Sequence, residues 1–123
     1  MTPREFENYV TMILREHGYW AHRIATDESG QQTFEIIAVK DDIVCVYDAK
    51  VLSSGNRFPL NRIEDNQLNA FEILHKRVRY SDVGCLIYHN GGIRFFTLDE
   101  IESAIRNNVR SVDVRGLPVW RCV

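Results

Sequence analysis

One stretch constrains this chain more than any other: Phe34 to Lys50, Phe-Glu-Ile-Ile-Ala-Val-Lys-Asp-Asp-Ile-Val-Cys-Val-Tyr-Asp-Ala-Lys. Two runs rich in Ile and Val flank Asp41-Asp42, the pattern of a β-hairpin closed by a turn. A two-residue loop there pairs Lys40 with Ile43, and counting back sets Glu35 directly opposite Asp48. Side chains alternate along a strand, so Lys50 shares a face with Asp48, Val46 and Val44. Opposed residues have Cβ atoms about 5 Å apart, and like charges there are destabilising. A fold should avoid two carboxylates so placed unless a cation binds between them. The hairpin reads as half of a divalent-metal site with a lysine beside it.

Length bounds what can surround that hairpin: 123 residues predict a single domain over 1–123, large enough for one modest core. Nothing approaches the ~18 continuous apolar residues of a membrane span, and the polar start does not read as a signal peptide. The expectation is a cytoplasmic protein with no membrane partner. Cys45, Cys85 and Cys122 lack metal-ligand spacing and are expected to be reduced thiols, mostly in the core. A net charge of −2 gives no global sign of nucleic-acid binding, so any such affinity must come from a local basic patch.

The periodicity predicts a helix from Pro3 to His17, ended by Gly18, with Phe6, Val10, Ile13 and Leu14 as its apolar stripe. Glu7 shares an edge of that stripe and can equally be a border residue reaching water. A strand is expected from Tyr19 to Ala25 and a surface loop from Thr26 to Thr33. Ile43 to Tyr47 is apolar on both faces, which argues for a central strand. A loop follows from Val51 to Asn61. Asn61 with Glu64 then reads as a capping box opening a helix to about Val78, with Ile63, Ala70, Phe71, Leu74 and Val78 buried. Gln67 falls in the middle of that stripe, where its amide needs a partner. A second hairpin is expected across Val83–Tyr88 and Ile93–Phe96. Thr97 with Glu100 caps a short helix, and the tail from Val109 to Val123 reads as an edge strand or a docking or dimer surface.

The order helix, strand, strand, strand, helix, strand, strand, helix predicts an α/β fold, a small mixed sheet flanked by helices on both faces. Glu7, Glu35, Asp48 and Lys50 converge if the first helix packs beside the hairpin. Three carboxylates and a lysine suit Mg²⁺, which takes oxygen ligands while keeping waters and a substrate phosphate. No phosphate-cradling Gly loop, Ser/His/Asp set or zinc spacing is present. Arg57, with Arg23, Lys76 and Arg79, is a candidate for contacts to DNA phosphates, although each also reads as a solvated charge, and Lys76 and Arg79 as complements to a helix dipole.

Glu35, followed after twelve residues by Asp48-Ala49-Lys50, resembles the motif of the PD-(D/E)XK, or restriction-endonuclease-like, nucleases. Phe6-Glu7 with Leu14 and Gly18-Tyr19 is similar to the helix that supplies an extra glutamate in that family. Asn56-Arg57-Phe58-Pro59-Leu60, then Ile63-Glu64 and Gln67-Leu68, resembles the RecU-type Holliday-junction resolvases, and the first motif is shared with archaeal junction resolvases. The resemblance implies an αβββαβ core and a Mg²⁺-dependent endonuclease acting on branched or junction DNA as a homodimer, with Mn²⁺ able to substitute. It implies that Glu7, Glu35 and Asp48 hold the metal, helped by the Ala49 carbonyl. It gives Lys50 the catalytic lysine role and makes Gln67 a site residue supporting it. Phe34-Glu35 stands where the family usually has Pro-Asp. The competing reading is a catalytically silent nuclease fold serving as a DNA-binding or protein-interaction module.

Overall fold

The computed structural model describes residues 1–24 and 35–122. In chain order these form α1 (Pro3–Glu16), β1 (Trp20–Arg23), β2 (Ile36–Lys40), β3 (Ile43–Val51), β4 (Arg57–Pro59), α2 (Asp65–Arg77), β5 (Tyr80–His89), β6 (Gly92–Thr97), α3 (Leu98–Arg106) and β7 (Ser111–Asp113). A five-stranded sheet runs β1-β2-β3-β5-β6, and β4 and β7 make a separate two-stranded ladder. β3 and β5 are parallel, joined through α2, while the other neighbours in the large sheet are antiparallel. The fold is the expected mixed α/β sheet flanked by helices. The expected loop at 26–33, the end of the first expected strand at Ala25, and Phe34 lie outside the described residues.

β3 divides the interior in two. Cys45, Tyr47 and Ala49 face α1, whose Phe6, Val10 and Leu14 are fully buried beside them with Leu86, Phe95 and Trp120. Val46 faces the opposite way, toward Phe71 of α2 and Leu98 of α3. A third cluster, Phe58, Cys85, Phe96 and Ile101, continues that second layer. A strand covered on both sides must be apolar on both sides, which accounts for the unbroken run Ile43–Tyr47. α1 begins where the Thr2 side chain accepts the Glu5 N–H at 3.1 Å and ends before Gly18, whose φ of +88° a helix cannot continue.

The β2–β3 hairpin pairs Lys40 with Ile43 as expected, with Asp41 in the left-handed region at φ 52°. The second hairpin turns at Asn90-Gly91, both at positive φ, which suits the twist of the flanking strands. Thr97 caps α3 through the Glu100 N–H and bonds the Glu100 carboxylate in return. Cys45, Cys85 and Cys122 are all free thiols.

Two expectations are corrected. The start of α2 is Asp65, capped by Glu64, rather than Asn61. Leu60–Arg62 forms a tight 3₁₀ turn and Ile63 is extended at φ −92°, ψ 112°, so Ile63 precedes the helix instead of joining its stripe. The stretch from Val51 to Asn61 is more than a loop: β4 pairs with β7, and Phe58 is fully buried beneath the pair. The tail folds back on its own chain. Val119 bridges Arg94, and the Trp120 ring stands edge-on to Tyr47 with centroids 5.8 Å apart.

Gly84 marks the tightest passage in the sheet. A Cβ there would meet the Phe96 carbonyl oxygen at 2.4 Å and the Phe95 ring at 2.9 Å. The Phe95 ring is itself fixed edge-on to Tyr47, at 5.6 Å. Gly84→Ala should therefore destabilise the protein by about 1–3 kcal/mol, the usual range for overpacking. Gly92→Ala, whose nearest neighbour would be 3.7 Å away, serves as the control. Urea unfolding of both variants checks this, and equal midpoints would contradict it.

Candidate active site

The site lies on the α2 side of β3, where the strand stops being apolar. Asp48 is 0% exposed, yet it carries a carboxylate. Gln67 Nε2 donates to Asp48 Oδ1 at 3.0 Å, and Gln67 Oε1 accepts the Glu64 N–H at 3.1 Å. One amide thus closes the first turn of α2 and anchors the acid. Lys50, two residues on and on the same face, brings Nζ to 3.2 Å from Asp48 Oδ2. That approach is an ion pair off the hydrogen-bond line. Oδ2 is buried and has no hydrogen-bond partner among the described residues.

Glu35 arrives just before β2. The regular ladder ends with Ile36 opposite Tyr47, and the Glu35 N–H donates to that same Tyr47 carbonyl at 3.1 Å. The backbone of Glu35 is thus held one residue short of the simple opposition with Asp48. Its side chain makes up the difference, and Oε2 accepts the Ala49 N–H at 2.9 Å. Burial, then the charge of Asp48, push the Glu35 carboxyl up to about 8, against the opposing pull of the Ala49 N–H. Burial and the neighbouring acid thus favour the protonated form of Glu35. Burial also raises Asp48, with Lys50 pulling the other way. Burial alone would lower Lys50, but the Asp48 and Glu35 charges outweigh it and the ammonium is favoured.

The remaining expected residues are placed as follows. Glu7, on α1, lies 3.4 Å from Arg23 Nε and its charge reaches Glu35. Among the described residues no three His, Cys, Asp or Glu side chains are arranged to hold a metal ion. An open groove of about 680 Å³ between α1 and β1 borders the Glu7–Arg23 pair. Arg57 bonds the Ser111 hydroxyl and carbonyl, stitching β4 to β7. Lys76 and Arg79 flank the start of β5, where Tyr80 pairs with Ile43, whereas Asp48 pairs with Cys85 further along. They sit at the other end of the sheet, and Arg79 lies over the Tyr80 ring. Sequence reasoning passed over Arg62, which the tight turn before α2 brings to the carbonyl of Val51.

The structure is a mixed α/β fold with helices on both faces of its five-stranded sheet. No protein-family model matches the chain, and no curated protein matches it in sequence. Among solved structures it is similar to Hjc of Archaeoglobus fulgidus, a Holliday junction resolvase from an archaeal hyperthermophile, with a TM-score of 0.60. The two chains are 15% identical over 78% of this chain and 77% of that one. Such a likeness establishes the nuclease-like fold.

The raised Glu35 carboxyl has a thermodynamic signature. A group whose pKa is higher folded than unfolded stabilises the fold at low pH, and that contribution is lost as pH rises through the folded value. Metal-free protein should therefore lose stability between about pH 5 and pH 8, as Glu35 is forced to ionise near Asp48. Glu35→Gln should flatten this decline, matching the wild type near pH 5 and exceeding it at pH 8. Thermal melts across that range check the sign, and parallel curves would contradict it.

Proposed function

We propose that this chain is a Mg²⁺-dependent DNA endonuclease that hydrolyses phosphodiester bonds in branched DNA, in the manner of a Holliday-junction resolvase and as a homodimer. The observation that carries the reading is Asp48: fully buried, anchored on one oxygen by Gln67, with the other oxygen facing the Lys50 ammonium and without a hydrogen bond among the described residues. The likeness of the fold to an archaeal resolvase supports the reading. A homodimer follows from the substrate, because paired cuts on two strands need two sites.

The donor set suits a hard divalent cation. Asp48 and Glu35 offer carboxylate oxygens on one face, with Glu7 nearby, and Mg²⁺ requires few protein ligands because it retains waters and takes substrate phosphate oxygens. Mn²⁺, with the same oxygen preference, is expected to substitute. When bound, the cation supplies a more acidic water and neutralises charge developing on the phosphate. The chain does the rest. Gln67 holds Asp48 in one orientation, so that Oδ2 is the oxygen presented. Lys50, kept as an ammonium by its two acidic neighbours, is positioned to orient the attacking water or bind the scissile phosphate. Glu35 must release its proton for its carboxylate to serve.

The alternative, a silent nuclease fold used for DNA or protein binding, gains some support from Glu7, which is paired with Arg23. Labelled branched and linear DNAs incubated with and without Mg²⁺ separate the two. Cleavage by the wild type, lost by at least about 100-fold in Lys50→Ala with DNA binding retained, is the expected outcome. Binding without cleavage under any divalent ion would favour the silent module. Cleavage that survives in Lys50→Ala would remove Lys50 from the mechanism.

A further inference from the structure

Most of the cations near the site are already engaged. Arg23 is paired with Glu7, Arg57 is tied to Ser111, and Lys50 faces Asp48. Arg62 differs. Its Nη1 donates to the Val51 carbonyl at 3.1 Å, one residue beyond Lys50 at the end of β3. Its guanidinium lies 5.3 Å from the centre of the fully buried Phe58 ring, within cation–π range. A guanidinium has five N–H donors, and only this one has a partner among the described residues. No carboxylate among those residues comes within ion-pair distance of it.

Its location is fixed relative to the acids. Cys85, the ladder partner of Asp48, feels the charges of Asp48, Lys50, Glu35 and Arg62 together. Arg62 is half-buried, so its orientation is set by the Val51 carbonyl and Phe58 rather than by solvent. A pre-oriented guanidinium beside a carboxylate–lysine site, with no ion-pair partner among the described residues, has the chemistry of a phosphate clamp, because its planar fork matches two phosphate oxygens.

We infer that Arg62 is a phosphate-binding residue of this site, gripping a backbone phosphate of the nucleic acid next to the one that Lys50 and Asp48 address. The inference rests on the proposed nuclease reading and deepens it. Two anchors along one strand, Lys50 and Arg62, would fix the register of the backbone across the end of β3. The tight 3₁₀ turn Leu60–Arg62 acquires a purpose here, since it places Arg62 against the Val51 carbonyl before α2 begins.

The test is the salt dependence of binding to a labelled four-way junction and a matched duplex, measured for wild type, Arg62→Met and Arg62→Lys. Arg62→Met should weaken binding about tenfold on both DNAs and reduce the salt slope by about 1. Arg62→Lys should keep the slope while losing part of the affinity, since the charge remains and the fork is gone. A scan of single neutral methylphosphonates should find one position that weakens wild-type binding but leaves Arg62→Met unaffected. Thermal melts establish that the variants are folded. Should Arg62→Met not fold, the same scan on wild type and Arg62→Lys decides, with a smaller penalty in Arg62→Lys at one phosphate as the expected result. An unchanged slope in folded Arg62→Met, or no phosphate at which the variants differ, overturns the assignment while leaving the nuclease reading standing if the wild type cleaves. A wild type that neither binds nor cuts DNA overturns both.

Discussion

The burial of Asp48 is the constraint on which the rest of the site depends. A carboxylate removed from water must be hydrogen-bonded and paired, or it destabilises the fold by several kcal/mol. Here one oxygen is taken by Gln67 and the other faces the ammonium of Lys50. Gln67 can serve because its second end caps α2 through the Glu64 N–H. The start of a helix and the orientation of an acid are therefore one unit. Lys50 is tied to the same unit, because two residues along a strand return to the same face.

This arrangement needs β3 to be central. An edge strand would leave Asp48 open to water, and its ionisation would cost little. With β2 on one side, β5 on the other, α1 below and α2 above, the strand is enclosed, and its polarity is confined to Asp48 and Lys50 on one face. The α1 face answers with aromatic packing, where Tyr47 stands edge-on to both Phe95 and Trp120 and donates its hydroxyl to Asp82. Glu35 belongs to the same scheme. Its backbone stops short of the ladder while its carboxylate reaches the free Ala49 N–H, so a second acid is held near the first without full opposition.

How much of this is legible in the sequence follows from the range of the interactions. The β2–β3 hairpin is readable because alternation and a turn are local signals, and its register holds through Ile36 and Tyr47. Gln67 is readable as a buried amide because helical spacing places it four residues before Phe71. The start of α2 is not, since Asn61 and Glu64 mimic the spacing of a capping box while the operative pair is Glu64 and Gln67. The β4–β7 ladder joins three-residue strands more than fifty positions apart, and no local periodicity announces such a pairing. Among the arginines, sequence points to Arg57 as readily as to Arg62. Only the fold shows that Ser111 occupies the first and that Val51 and Phe58 orient the second.

The central claim is that the buried acids await a divalent cation, and calorimetric titration of Mg²⁺ or Mn²⁺ into wild type and Asp48→Asn tests it directly. The account expects the wild type to bind the ion and, near pH 7, to release a proton as Glu35 ionises, seen as a heat that depends on the buffer. Asp48→Asn should bind no ion. Undiminished binding in Asp48→Asn, or none in the wild type, would contradict it.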